Sequence, residues 1–195
     1  MRSLAGTRRV VIVGIPGVGK TTVVEHMVRV LKSRDTGVRV VSFGSEMLEH
    51  AKRRGIKDRD ALRKEGRDEQ ERLQREAAKS ISVIDSEVVI IDTHAFIATP
   101  AGYYPGLPSP ILDIIRPTHL ISLTARPERI FSRREQDKSR VRDKNSVSGI
   151  KRELAIQDAM LSACSVHSGS PVMPVYNRDG EAAEAAEAIL KSVGL

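Results

Sequence analysis

The chain has 195 residues, 32 Lys and Arg against 25 Asp and Glu, and a formal net charge of +7. That length supports one domain with a sizeable core, and the positive balance favours anionic partners without separating nucleotides from nucleic acids. A single cysteine, Cys164, excludes an intramolecular disulfide and any multi-cysteine metal site, and no apolar run reaches membrane-spanning length. The polar opening Met1-Arg2-Ser3-Leu4-Ala5-Gly6 does not read as a secretory signal. A soluble, cytoplasmic protein is expected.

In chain order, Arg9-Val10-Val11-Ile12-Val13 is a short β-branched run that predicts a buried parallel strand. It leads into Gly14-Ile15-Pro16-Gly17-Val18-Gly19-Lys20-Thr21, which fits the phosphate-loop pattern G-x-x-x-x-G-K-[ST]. Val23, Val24, Met27, Val28 and Leu31 then fall on one helical face. Strand, glycine loop and helix form the context that gives the pattern meaning. Glycines let backbone N–H groups close around phosphate oxygens, and the helix N-terminus adds partial positive charge. Lys20 can reach the β- and γ-phosphates, and the Thr21 hydroxyl can bind Mg²⁺.

Further strands are predicted at Val38–Val41, Val88–Ile91, His119–Leu123 and Val172–Tyr176. Helices are expected over Glu69–Ile84, Pro127 to about Arg134, about Ile150–Cys164, and Glu181–Val193. Pro127 suits a first helical position, and Cys164 reads as a small buried filler among alanines. Strands alternating with helices predict an α/β fold, a parallel sheet with helices on both faces.

The apolar run Val88–Ile91 ends in Asp92-Thr93-His94. A carboxylate at the end of a strand beside the phosphate loop can hold Mg²⁺ or its waters, so Thr21 and Asp92 are the metal candidates. His94 can orient a phosphate or simply pack. Two charge-dense segments interrupt the alternation. Segment 44–67 follows the second strand, where open α/β sheets carry substrate-binding excursions. Segment 126–144 holds six arginines and two lysines against four acids. Charge runs usually mark solvated helix faces, but phosphoryl transfer also needs cationic clamps.

Gly14 to Thr21, Phe43-Gly44, Lys57-Asp58-Arg59-Asp60, Asp92-Thr93-His94 and Thr99-Pro100-Ala101-Gly102-Tyr103-Tyr104-Pro105-Gly106-Leu107-Pro108 together resemble archaeal-type adenylate kinase, over essentially the whole chain. The resemblance implies a P-loop NTPase fold with a five-stranded parallel sheet, an AMP-binding segment at about 44–67 and a short lid at about 134–144, all in one domain. It implies reversible, Mg²⁺-dependent transfer, ATP plus AMP to two ADP, by a homotrimer. Residue by residue, it implies ATP binding by Gly14, Ile15, Pro16, Gly17, Val18, Gly19, Lys20, Thr21 and Thr22. Lys20, Arg133, Arg140 and Arg142 would neutralise the transferring phosphoryl, and Gly44, Arg59, Arg63 and His94 would serve the acceptor. Relatives from bacteria and eukaryotes carry an arginine a few residues after Gly44, where this chain reads Glu46-Met47-Leu48-Glu49. Only about ten residues separate Arg133 from Asp143, without cysteines, so a large or zinc-bound lid is not expected. Tyr103 and Tyr104 are expected in a rigid substrate-side loop.

Other acceptors, CMP, UMP or a shikimate-like alcohol, stay open at this level, as does an ATP-binding assembly or switch factor acting on RNA. Against the last, three Phe, three Tyr and no Trp leave no visible stacking platform, and a nucleic-acid partner is not expected.

Overall fold

The computed structural model describes residues 6–99, 102–136 and 146–195. Strand β1 (Arg8–Val13) sits at the centre of a five-stranded sheet in the order β2-β3-β1-β6-β7. Its partners are β2 (Val38–Ser42), β3 (Val88–Thr93), β6 (His119–Thr124) and β7 (Val172–Tyr176). Every pairing in this sheet is parallel. The three inner strands are apolar without alternation because both faces are covered; Val10 to Val13 and Val88 to Ile91 are fully buried.

Alternate residues of each strand face two cores. Val10, Ile12, Val88, Ile90 and Ile121 pack with α1 (Lys20–Ser33) and α8 (Ala182–Ser192). Val11, Val13, Val89 and Ile91 pack on the other side with α2 (Phe43–Lys52), α4 (Arg67–Ser82), α5 (Ser109–Ile115) and α7 (Val147–Ser168). The expected sheet and helices are all present. Cys164 is buried on α7, with its Sγ 3.6 Å from the Leu107 carbonyl.

The charge-dense segment 44–67 forms two helices, α2 and the six-residue α3 (Arg59–Lys64), capped by Asp58, whose carboxylate accepts from the Asp60 and Ala61 amides. Tyr103 and Tyr104 lie in a strand, not a loop: β4 (Phe96–Thr99) pairs antiparallel with β5 (Gly102–Pro105), and Phe96 meets Tyr103 edge to face at 5.0 Å. Helix α6 (Pro127–Gln136) holds Arg133 and Arg134 in its last turn. The proposed lid beyond it falls largely outside the described residues, with Arg140 and Arg142. Among the described residues, no helix is long and apolar enough to cross a membrane.

Candidate active site

Parallel strands bring the two predicted phosphate elements together. β1 pairs with β3 so that Ile12 aligns with Asp92 and Val13 with Thr93. The loop from Gly14 to Gly19 leaves β1 at the edge where Asp92 and Thr93 end β3. Lys20 reaches across: its Nζ lies 2.5 Å from Asp92 Oδ1 and donates to the Thr93 carbonyl. Burial pushes the Lys20 ammonium below its ordinary pKa, while its attraction to Asp92 and their hydrogen bond oppose the shift. A cation held at a desolvation cost with one carboxylate partner is poised to take further anionic oxygens.

The loop is shaped for an anion. Gly17 and Gly19 have φ of +87° and +91°, which side-chain-bearing residues rarely adopt. A Cβ on Gly19 would run into the Asn177 amide. Gly19 caps α1 without any side-chain acceptor, and no acid lies in that helix's first turn. The first amides of α1, with the helix dipole behind them, are therefore presented to a phosphate. Thr21 and Thr22 follow in that first turn and are exposed.

Asp92 is half-buried, and with Thr21 it suits a magnesium ion that arrives on a nucleotide and keeps phosphate and water ligands. Among the described residues no cluster of three or more His, Cys, Asp or Glu could hold an ion by itself.

The two arginines at the end of α6 contact the loop itself. Arg133 Nη1 donates to the Gly17 and Val18 carbonyls at 3.2 Å each, and its Nη2 to Asp179 at 2.7 Å. Arg134 donates to the Pro16 carbonyl at 2.8 Å and pairs with Glu153 at 2.7 Å, both side chains nearly buried. Loop carbonyls turned away from the phosphate side need donors, and these two guanidinium groups supply them. Asn177, after β7, donates to the Val18 carbonyl at 2.8 Å. Sequence reasoning missed Asn177 and Asp179; the turn-like Asn177-Arg178-Asp179-Gly180 after a strand was the available signal.

Of the residues expected to serve the acceptor, Gly44 lies in the first turn of α2, and Arg59 joins α3 to α2 through Ser45 Oγ at 3.0 Å. Arg63 lies in α3 and His94 follows β3, exposed. A cavity of about 470 Å³ opens beyond this segment, lined by Arg67, Gln74 and Arg75 of α4, Ile97 and Tyr104 of the hairpin, and Pro108. The start of α4, the hairpin after β3 and the start of α5 all lie at the carboxyl end of the sheet, as the phosphate loop does. Substrates of open α/β sheets bind at that end. The cavity's α4 wall, Gln74 and Arg75 included, was not foreseen, because a half-polar helix face carries no local mark of what it lines.

A family profile described as an AAA domain matches residues 13–151. Adenylate kinase from Thermoplasma acidophilum is 40% identical over 188 residues, covering 96% of this chain and 99% of that one. Adenylate kinase from Saccharolobus solfataricus is 38% identical, covering 94% and 97%; that from Methanocaldococcus jannaschii is also 38% identical, covering 87% and 90%. Among solved structures, shikimate kinase from Acinetobacter baumannii in complex with shikimate superposes with a TM-score of 0.64 at 17% identity, over 96% of this chain and 93% of that one. That likeness is one of fold. The full-length similarity to the archaeal enzymes, joined to a phosphate loop, its lysine and its partner carboxylate in working order, makes this chain a member of the adenylate kinase family.

Proposed function

We propose that the chain transfers a phosphoryl group reversibly from ATP to AMP, giving two ADP. Near-complete coverage by the archaeal adenylate kinases carries this reading. ATP phosphates would seat on the amides of residues 14–22, with Lys20 shifting part of its charge from Asp92 to the β- and γ-oxygens. The acceptor would lie across Gly44, Arg59, Arg63 and His94, with its nucleoside toward the 470 Å³ cavity.

An oxygen of the AMP phosphate then forms a bond to the γ-phosphorus as the bond from that phosphorus to the β–γ bridging oxygen breaks. Both reacting groups are phosphates, so little proton transfer is required, and positioning with charge neutralisation supplies the rate. Mg²⁺, bound with the nucleotide and held by Thr21 and Asp92, would add charge neutralisation. Arg140 and Arg142 are proposed as cationic clamps from the lid, beyond the described residues. A cytoplasmic homotrimer is proposed as well.

Coupled assays of ADP formation test the reading. ADP should appear rapidly only with ATP, AMP and magnesium together. Steady hydrolysis of ATP without AMP would favour a switch. Faster turnover with CMP or UMP would reassign the acceptor.

A further inference from the structure

We propose that Gln74 reads the base of the acceptor nucleotide, its side-chain amide pairing with the edge of adenine inside the cavity beside α4. The inference rests on AMP being the acceptor, with its base entering that cavity.

Gln74 breaks the pattern of its helix. Leu73, Ala77, Ala78 and Ile81 of α4 are buried in the second core, and position 74 lies one turn before Ala77 and Ala78 on the same face. An apolar residue is expected there, yet the position holds a glutamine that is only 8% exposed. Among the described residues, its side-chain amide has no hydrogen-bond partner. Gln70, one turn earlier, differs in this respect, because its Nε2 donates to the Glu65 carbonyl at 2.9 Å. An amide taken out of water without a partner costs stability, and departures of this kind from local rules are expected at functional positions. Neither amide atom of Gln74 is sealed from solvent, and the residue lines the cavity of about 470 Å³. The amide therefore opens into that cavity with a donor and an acceptor unspent.

The remaining walls suit a flat, uncharged ring. Ile97 and Tyr104, cross-strand partners on the hairpin, supply an apolar and aromatic side, and Pro108 adds to it. The charged residues at the cavity are Glu65, Arg67, Glu71 and Arg75, two of each sign, and Arg67 pairs with Glu71 at 2.8 Å. A phosphate would find no net positive charge there. A heteroaromatic base needs what is present, apolar faces with a few polar groups at its edge. Adenine carries its N6 donor beside the ring acceptors N1 and N7. A glutamine amide meets such a pair with two hydrogen bonds, Oε1 accepting from N6 and Nε2 donating to the ring nitrogen.

Substitution of the amide separates reading of the base from support of the fold. Gln74→Met keeps the length of the side chain and removes both hydrogen-bonding groups. Relieved of an unpartnered amide, the variant should melt at the wild-type temperature or above it. Its KM for AMP should rise about ten- to hundredfold, the worth of one bidentate pair. Its kcat should stay within about threefold and its KM for ATP within about twofold, since base contacts act equally in ground and transition states. Purine riboside monophosphate, which lacks the 6-amino group, is the second probe. Wild-type protein should show a KM for it about tenfold or more above that for AMP. In Gln74→Met the two acceptors should differ by less than about threefold, because an interaction already lost cannot be lost again. An unchanged KM for AMP in the variant, or discrimination between the acceptors that survives the substitution, overturns the proposal. A rise in KM for ATP in place of AMP would give the cavity to the phosphoryl donor and overturns it too. A lower melting temperature with both KM values raised together would make Gln74 a structural residue, against the proposal. Wild-type protein that forms no ADP from ATP and AMP would instead overturn the reading on which the proposal rests.

Discussion

Lys20 joins the loop's chemistry to its surroundings, and its titration should report on both. Burial lowers its pKa from 10.5, and Asp92 resists the shift without cancelling it. Above its folded pKa, the unfolded chain holds this proton more tightly than the native one. Lys20 therefore adds native stability as pH rises towards 10.5, and its charged form costs stability at lower pH. A triphosphate would reverse the balance, since anionic oxygens around Nζ raise its pKa again. ATP binding should therefore take up a proton in the alkaline range below 10.5 and weaken as pH rises there. Calorimetry in buffers of different ionisation enthalpy reads that proton directly. Binding without proton uptake up to the lysine's ordinary pKa would place Lys20 away from the phosphates. Lys20 and Asp92 were legible in the sequence because each ends a local pattern, a glycine loop in one case and an apolar run in the other. Asn177 was not, because its partner Val18 is 159 residues away and only the sheet order brings them together.

At the scale of elements, legibility followed burial. The five parallel strands and the long helices stood out because a covered sheet demands unbroken β-branched runs and its helices a single apolar face. Helix α5 was hidden by Pro108 and Pro110 at its start, although a proline there is compatible with a helix. The hairpin was hidden because its residues are mostly exposed and so lack the alternation that marks a half-buried strand. What closes the base of the hairpin is Gly106. Its amide donates to the Ala95 carbonyl at 2.8 Å, and a Cβ there would overlap the His94 carbonyl, which is backbone and cannot swing aside. Gly106→Ala should destabilise the protein by about 1–3 kcal/mol, as overpacked sites do. It should also raise KM for AMP more than for ATP, since the displaced hairpin lines the acceptor cavity. Thermal melts and two-substrate kinetics check this. A variant with wild-type melting temperature and unchanged KM for AMP would mean that the close approach holds nothing in place.

Across the whole molecule, the order β2-β3-β1-β6-β7 would, on the proposed reading, divide the carboxyl edge into a donor side built on α1 and an acceptor side built on α2, α3 and α4. The donor side grows from the buried sheet and packs against α8. The acceptor side is tied unevenly: α2 and α4 bury Phe43, Met47, Ala51, Leu73, Ala77, Ala78 and Ile81 in the second core, and α3 is the shallow element. Helix α3 contributes one buried apolar residue, Leu62, and α2 is moored at its far end by Arg54, which grips Glu69 and Glu76 of α4. Bringing two nucleotides together crowds many negative charges into one cleft, and water must leave for transfer to outrun hydrolysis. Whatever moves to enclose them has to come from elements with few buried contacts, because those open and close at low cost. Residues 53–66, in which Leu62 is the buried apolar residue, answer that description, and β1, β3 and β6 do not. Two adenosines joined by five phosphates would occupy both sides at once. Hydrogen exchange with that compound should show new protection across 53–66 and in the phosphate loop, with the inner strands as slow as before. Protection confined to the loop would mean that the acceptor half binds elsewhere, and uniform slowing of the whole chain would mean general stabilisation without closure.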